Sequence, residues 1–349
     1  MAETRKIKLS VLDQSPVREG GTAEQALQET LQLAQLTDRL GYHRYWVSEH
    51  HNTLGLAGPA PEVLIPHLAA QTKHLRIGSG GVMLPHYSAL KVAENFRLLE
   101  ALYPNRIDLG IGRAPGTDRK TAALLNPYNL FNEQDFIEQL RDIDRYLQDG
   151  IGGEFTAEVK VTPRSATAPE RWLLSSSGQS GVFAAHFGMG FSFAHFINPN
   201  GGAETMRAYQ SRFSPSTLLK QPAGNFGIFV ICADTQERAE ELQLSMDMLM
   251  LHIRQGKSGG VPSLEKAREF YADLTPDELA QVQYNRQRAV FGTPEQVKTQ
   301  LDILAEEYNV EEIVVVTITH DFQDRLRSYE LLAGAYGLEP RIGQNFQSQ

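Results

Sequence analysis

A single cysteine, Cys232, is present among 349 residues, so no disulfide can form within the chain. The apolar Ile228-Phe229-Val230-Ile231 before it marks a buried thiol rather than a reactive one. Apolar runs such as Ile313 to Val316 are far too short to span a bilayer. Met1 to Lys8 is charged and lacks the apolar core and small-residue cleavage site of a secretory signal, so a cytoplasmic location is expected. Basic residues are also scarce: Lys and Arg number 33 against 42 Asp and Glu, for a formal charge of −9. That balance argues against nucleic acid, whose phosphates demand a basic face, and favours small-molecule chemistry. No internal repeat or low-complexity tract is present.

What the chain does have is 41% hydrophobic residues, ample for a large core. They fall into short β-rich runs separated by segments of helical period, the alternation that builds a parallel sheet with covering helices. Eight such runs are expected as strands: Ile7 to Leu12, His43 to Ser48, Leu75 to Leu84, Arg106 to Ile111, Trp172 to Ser175, Phe191 to Ile197, Gly227 to Ala233 and Glu312 to Thr319. The first four start at intervals of roughly 30 to 36 residues, as a strand, a helix and two short loops require. Between the first two, Ala23, Leu27, Leu31, Ala34 and Leu40 form an apolar stripe, with Glu24, Gln28, Gln32 and Arg39 facing water. The last helix follows a capping Asp321 and aligns Phe322, Leu326, Tyr329, Ala333 and Tyr336.

Eight strand-helix units predict an α/β fold, a (β/α)8 TIM barrel spanning residues 1–349 as one domain, in preference to an open doubly wound sheet. Two insertions interrupt it. One, at about 150–170, carries Gly152 to Thr156 and Val159 to Val161 and suggests a small hairpin; the other, at about 252–287, precedes strand eight and has the length of a lid or binding loop.

A barrel places its chemistry at the carboxyl ends of its strands. Strand two ends in Glu49-His50-His51. Alternation along a strand sends Glu49 and His51 one way and His50 the other, and an imidazole near neutral pKa is a credible acid or base. Strands three and four end in Gly80-Gly81 and Gly112-Arg113. Strand five turns into a helix through Ser175-Ser176-Ser177-Gly178-Gln179-Ser180. A helix start offers free N–H groups and partial positive charge, hydroxyls add donors, and Arg113 adds a charged one, which together suit a phosphate. Each piece also has a plain structural reading: Ser177 as an ordinary helix cap, Gly80-Gly81 as a tight strand exit. His195 and Asn198 follow strand six as candidates for substrate contact, His195 reads equally well as a structural histidine, and His320 simply precedes the cap. A metal bound by Glu49, His50 and His51 is disfavoured because adjacent strand residues point apart.

Taken in order, these motifs resemble those of the bacterial luciferase-like flavin-dependent monooxygenases, over nearly the whole chain. Trp46 to Gly55 is similar to that family's second strand and loop, Ser79 to Pro85 with Val92-Ala93-Glu94-Asn95 to its third unit, Arg106 to Arg113 to its fourth strand, and Ser176 to Gly188 to its phosphate turn and helix. The segment Val314 to Asp321 is similar to the homodimeric, uncharacterised branch of the family.

The resemblance implies FMN, supplied reduced as FMNH2 by a separate NAD(P)H:flavin reductase. O2 is then activated as a flavin C4a-hydroperoxide to oxidise a small organic substrate. It implies His50 as the catalytic histidine and a non-proline cis peptide at Gly80-Gly81 beside the flavin ring, with Gly112 against the ring. Arg113, Ser176, Ser177, Gly178 and Ser180 are implied at the phosphate, and no metal. The 252–287 insertion matches the family's mobile loop. Pairing of two chains is expected through 61–72 and 90–102. Gly112 stands where the luciferase catalytic subunit has a thiol-bearing residue, and two glycines stand where it has alanines, departures that argue against light emission; Ser176 replaces a carboxylate there, a loss of negative charge that does not oppose phosphate binding. Two alternatives remain: a non-catalytic flavin storage protein, and an oxidoreductase that transfers hydride with deazaflavin F420.

Overall fold

The structure, a computed structural model, describes residues 6–129, 131–257 and 259–341. In chain order its elements are β1 (Lys8–Asp13), α1 (Ala23–Leu40), β2 (Arg44–Val47), α2 (Pro61–Ala70), β3 (Arg76–Ser79), β4 (Val82–Met83), α3 (Ala89–Leu102), β5 (Ile107–Gly112), α4 (Arg119–Leu125), α5 (Glu133–Gln148), β6 (Glu170–Ser175) and α6 (Gly178–His186). There follow β7 (Gly190–Ala194), α7 (Gly202–Arg212), β8 (Gly224–Cys232), α8 (Gln236–Arg254), α9 (Leu264–Ala272), α10 (Pro276–Arg286), β9 (Ala289–Gly292), α11 (Pro294–Tyr308), β10 (Glu312–Val316) and α12 (Phe322–Ala335).

Every pairing between these strands is parallel. β1 lies between β10 and β2, the ladder runs on through β3, β5, β6 and β7 to β8, and β8 pairs β10 to close the ring. Eight strands therefore form a closed barrel with helices outside it, the expected (β/α)8 fold. The third expected run is split where the Gly80–Gly81 peptide, which is cis, separates β3 from β4, and β4 pairs β5. β9 was not expected. It pairs Phe229–Cys232 on the far half of β8, beyond the stretch that pairs β7.

Three further expectations are corrected. Residues 152–161 form no hairpin. The carboxylate of Asp149 instead accepts from the backbone N–H and the hydroxyl of Thr156, at 2.8 and 2.7 Å, and winds the segment into a loop. The buried face of α1 is Ala26, Thr30, Leu33, Ala34, Thr37 and Asp38, while Ala23 is exposed and Leu27, Leu31 and Leu40 are half-buried. The stripe rotates because its polar members find partners. Asp38 accepts the N–H groups of Lys73, His74 and Leu75, and Thr30 donates to Ser15 Oγ at 2.9 Å. On α12 the buried face includes Arg325, which pairs with Asp13 at 2.7 Å; Leu326 and Tyr336 are half-buried.

The 252–287 insertion contains the end of α8 and the short helices α9 and α10, the second opened by a Thr275–Glu278 capping box.

The barrel has two unlike ends. At its amino-terminal mouth a charge network fills the interior: Arg44 reaches Asp108 at 2.5 Å and Glu312 at 2.6 Å, and Arg76 reaches Asp108 at 2.7 Å. Trp46 Nε1 donates to the same Asp108 at 2.9 Å. Burial alone pushes the Asp108 carboxyl up, but Arg44 and Arg76 outweigh it and hold it below the usual carboxylate range. Above this plug, Leu12, Trp46, Trp172, Phe229 and Val314 form an apolar interior layer.

Removing the shared acid takes from the buried Arg44 and the half-buried Arg76 their common carboxylate. Asp108→Ala is expected to lower unfolding free energy by about 3 to 5 kcal/mol in urea titrations. A loss under about 1 kcal/mol would show that the plug carries little of the barrel's stability.

Candidate active site

At the carboxyl ends of the strands lies a cavity of about 700 Å3, bordered by every ring strand end from β1 to β7 and by parts of β8, α8 and the insertion. β2 leaves the ladder at Val47, and Ser48 N donates to Asp13 O at 3.2 Å. Glu49 is wholly buried. Its carboxylate accepts from Met83 N at 2.9 Å and from the Tyr87 hydroxyl at 2.7 Å, and lies 2.8 Å from His51 Nε2. Burial, and then the bonded carboxylate, push the Tyr87 hydroxyl well above its ordinary pKa, so it stays a donor.

The expected alternation holds in that Glu49 and His51 meet while His50 turns to Ser48, whose Oγ is 3.1 Å from Nδ1. Because regular strand ends at Val47, both imidazoles nonetheless border the cavity. Burial, and then the neighbouring His51, lower the His50 pKa to about 4. His50 is therefore neutral at pH 7, and Nε2 makes no hydrogen bond among the described residues. Among those residues no group of three or more His, Cys, Asp or Glu side chains could hold a metal ion.

Gly80, Gly81 and Gly112 form part of the cavity floor. A Cβ at Gly80 would lie 2.6 Å from Leu12 Cδ1, and one at Gly81 2.7 Å from the Gly110 carbonyl. The barrel's own packing thus forbids side chains here, and bare main chain is left toward the cavity. At Gly112 a Cβ would fall 3.0 Å from Met83 Sδ, so the Met83 thioether fills the place a side chain at 112 would take.

The serine turn lies across the cavity. Ser177 occupies the N-cap of α6 with extended backbone, but its side chain makes no cap bond. Its hydroxyl is 3.2 Å from Ser175 Oγ, which also accepts from Ser177 N at 3.1 Å. The plain reading of Ser177 as a side-chain cap therefore fails, and the first N–H groups of α6 have no side-chain acceptor. Ser176, Ser177 and Ser180 border the cavity; Gly178 does not, and stands as the first residue of α6. Arg113 also borders it and donates to the Gln179 side chain, which in turn donates to Glu133 of α5.

Asn198 does have a role beside the site: its Nδ2 donates to Ser176 O at 3.0 Å and steadies the turn. His195 is structural, with Nδ1 2.9 Å from the Tyr308 hydroxyl and Nε2 3.1 Å from Gln287 O. His320 lies 3.2 Å from Glu19 O, and Asp321 caps α12 by accepting from Gln323 N at 2.7 Å. Neither His195 nor His320 borders the cavity.

Sequence reasoning did not assign Tyr87, Met83 or Arg288 to this region. Tyr87 and Met83 reach it through hydrogen bonding and packing that no local pattern encodes. Arg288 had only its place next to the insertion as a signal.

The depressed His50 pKa has a sign. An unfolded chain protonates this imidazole near pH 6.5, the folded chain only near pH 4, so stability falls as pH drops through that window. Between pH 7 and 5 the wild type is expected to lose on the order of 1 to 2 kcal/mol more than His50→Gln in urea unfolding. Parallel losses would mean that His50 takes up its proton as freely folded as unfolded.

The sequence profile of the luciferase-like monooxygenases matches residues 7–309. A protein of Bacillus subtilis (strain 168) known only as uncharacterized protein YwcH is 51% identical over 332 residues, covering 95% of this chain and 99% of its own. The N-acetyl-S-alkylcysteine monooxygenase of the same organism is 36% identical over 337 residues, covering 94% and 98%. Among solved structures, apo-MsnO8 superposes with a TM-score of 0.91 at 40% identity, over 96% of this chain and 100% of the other. With its closed parallel barrel and the motifs at its strand ends, the chain belongs to the luciferase-like monooxygenase family.

Proposed function

We propose that this protein is the oxygenating component of a two-component system that takes reduced FMN from a separate NAD(P)H:flavin reductase and uses O2 to oxidise a small organic substrate. One observation carries the proposal: the uncapped start of α6, its serines and Arg113 border the same cavity as a neutral histidine. The donor set fits a phosphate monoester, since main-chain N–H groups, hydroxyls and a guanidinium converge there. Bare main chain at Gly80, Gly81 and Gly112 fits a flat ring. When bound, reduced FMN supplies the electrons that let O2 give one oxygen atom to the substrate.

The chain's own residues bind, orient and exclude. Arg113, Ser176, Ser177, Ser180 and the first N–H groups of α6, Gly178 included, hold the phosphate. His50, neutral at pH 7 with Nδ1 engaged by Ser48, accepts or returns a proton at Nε2. The apolar side of the cavity, from Phe229 to Ile253, keeps water from the reacting atoms. The start of the insertion borders it through Lys257, Gly259 and Val261 and helps to shield it. All of this sits in one barrel domain of the described residues. Two chains pair through α2 and α3, which expose Val63, Leu98 and Leu102. No described helix is long and apolar enough to cross a membrane. A single buried thiol suits the reducing cytoplasm.

Stopped-flow mixing of protein loaded with reduced FMN against oxygenated buffer tests the activity. A flavin transient that decays over seconds supports the oxygenase, whereas immediate appearance of oxidised FMN supports storage. Parallel titration with F420 distinguishes hydride transfer. His50→Ala should cut turnover by roughly 10²- to 10⁴-fold and leave FMN affinity nearly unchanged. Loss of FMN binding instead would contradict the proton-transfer role. Arg113→Ala should weaken FMN by about 10- to 100-fold and riboflavin little, since a charge-assisted bond to phosphate is worth about 1.5 to 3 kcal/mol. Equal losses for both flavins would remove Arg113 from the phosphate.

A further inference from the structure

A second arginine stands on the cavity wall with no acid to balance it among the described residues. Arg288, between α10 and β9, borders the cavity, and its Nε is buried without a hydrogen-bond partner. Among the described residues it forms no ion pair, and its guanidinium rests over the Tyr284 ring at 5.7 Å from the centroid. A buried guanidinium nitrogen left unbonded carries a desolvation penalty that an incoming acceptor relieves.

Its surroundings differ from those of Arg113. Arg113 stands among serines, held by Gln179. Arg288 shares its side of the cavity with Leu249, Met250 and Ile253 of α8, an apolar surface on which Ile253 remains 59% exposed. Lys257 lies nearby, but part of its field is taken up by Glu278, whose carboxyl is held low by Thr275 and to a smaller degree by Lys257. A phosphate at the serine turn already meets Arg113, hydroxyls and the positive end of α6. The charge on Arg288 is left for another anion.

From this we infer that the organic substrate is an amphipathic anion, with its acidic group at Arg288 and its apolar part along Leu249, Met250 and Ile253. The inference deepens the proposed oxygenase and rests on that reading of the cavity. Arg288 binds the substrate and sets its direction; it performs no step of the oxidation.

The test uses octanoate and octan-1-ol, equal in chain length and different in charge. Binding is followed by Trp46 fluorescence, since Trp46 borders the cavity, with calorimetry as a second readout, on the protein alone and loaded with FMN. Octanoate should bind at least about tenfold more tightly than octan-1-ol. Arg288→Gln should abolish that preference and leave octan-1-ol and FMN within twofold of wild type, and Arg288→Lys should restore part of it. Equal affinity for the two probes in the wild type, or no measurable octanoate binding, overturns the inference. So does an Arg288→Gln variant that loses FMN while keeping its preference for octanoate, which would assign Arg288 to the cofactor phosphate. Failure of the wild type to bind FMN at all would instead overturn the oxygenase reading, and the octanoate comparison on the unloaded protein would still decide the anion subsite.

Discussion

A single buried carboxylate organises the catalytic end of this barrel. Glu49 follows β2 and gathers a main-chain N–H from β4, the Tyr87 hydroxyl and the His51 ring, so the stretch 49–51 is fixed against the stretch 83–87. A buried carboxyl group is tolerated only when its oxygens have hydrogen-bond partners, and each partner here is thereby pinned. Pinning Met83 sets its thioether beside Gly112 and shapes the cavity floor. Pinning His51 leaves its neighbour His50 to turn the other way, toward Ser48. The floor and the imidazole that overlooks it thus share one anchor.

The molecule divides its charges by purpose. At the amino-terminal mouth, Arg44 and Arg76 are met by Asp108, Glu312 and Glu170, away from the cavity at the carboxyl ends. At the carboxyl end, Arg113 and Arg288 meet no acid directly among the described residues, and both border the cavity. Balanced charge holds strands in register, and unbalanced charge remains free to meet a ligand. The same division appears among the histidines: His195 has both ring nitrogens occupied, whereas His50 has one to spare.

Much of the fold was legible because β-branched runs such as Ile313 to Val316 and the helical period between them are local signals. The eight expected runs are the eight strands of the ring. β9 escaped because Ala289–Gly292 is four residues long and is held by the far half of β8 rather than by its own pattern. The face of α1 was misplaced because Thr30, Thr37 and Asp38 are polar yet buried, and their partners lie in distant segments. Gly152 to Thr156 and Val159 to Val161 suggest a hairpin, but the Asp149 carboxylate holds Thr156 and Ala157 in a loop. In the site, His50, Arg113 and the serines were readable because strand ends and helix starts are marked in sequence. Met83, Tyr87 and Arg288 were not: Met83 and Arg288 border the cavity and Tyr87 joins the site through Glu49, each by tertiary contact alone.

The central claim is that one cavity holds the phosphate of FMN at the start of α6 and its ring beside Gly80, Gly81 and Gly112. A crystal structure of the protein soaked with FMN addresses it most directly. The account predicts phosphorus within hydrogen-bond reach of Ser177 and Arg113, with the ring system on the glycine floor below His50. An FMN molecule bound at the amino-terminal mouth, or one whose phosphate points away from α6, would contradict it.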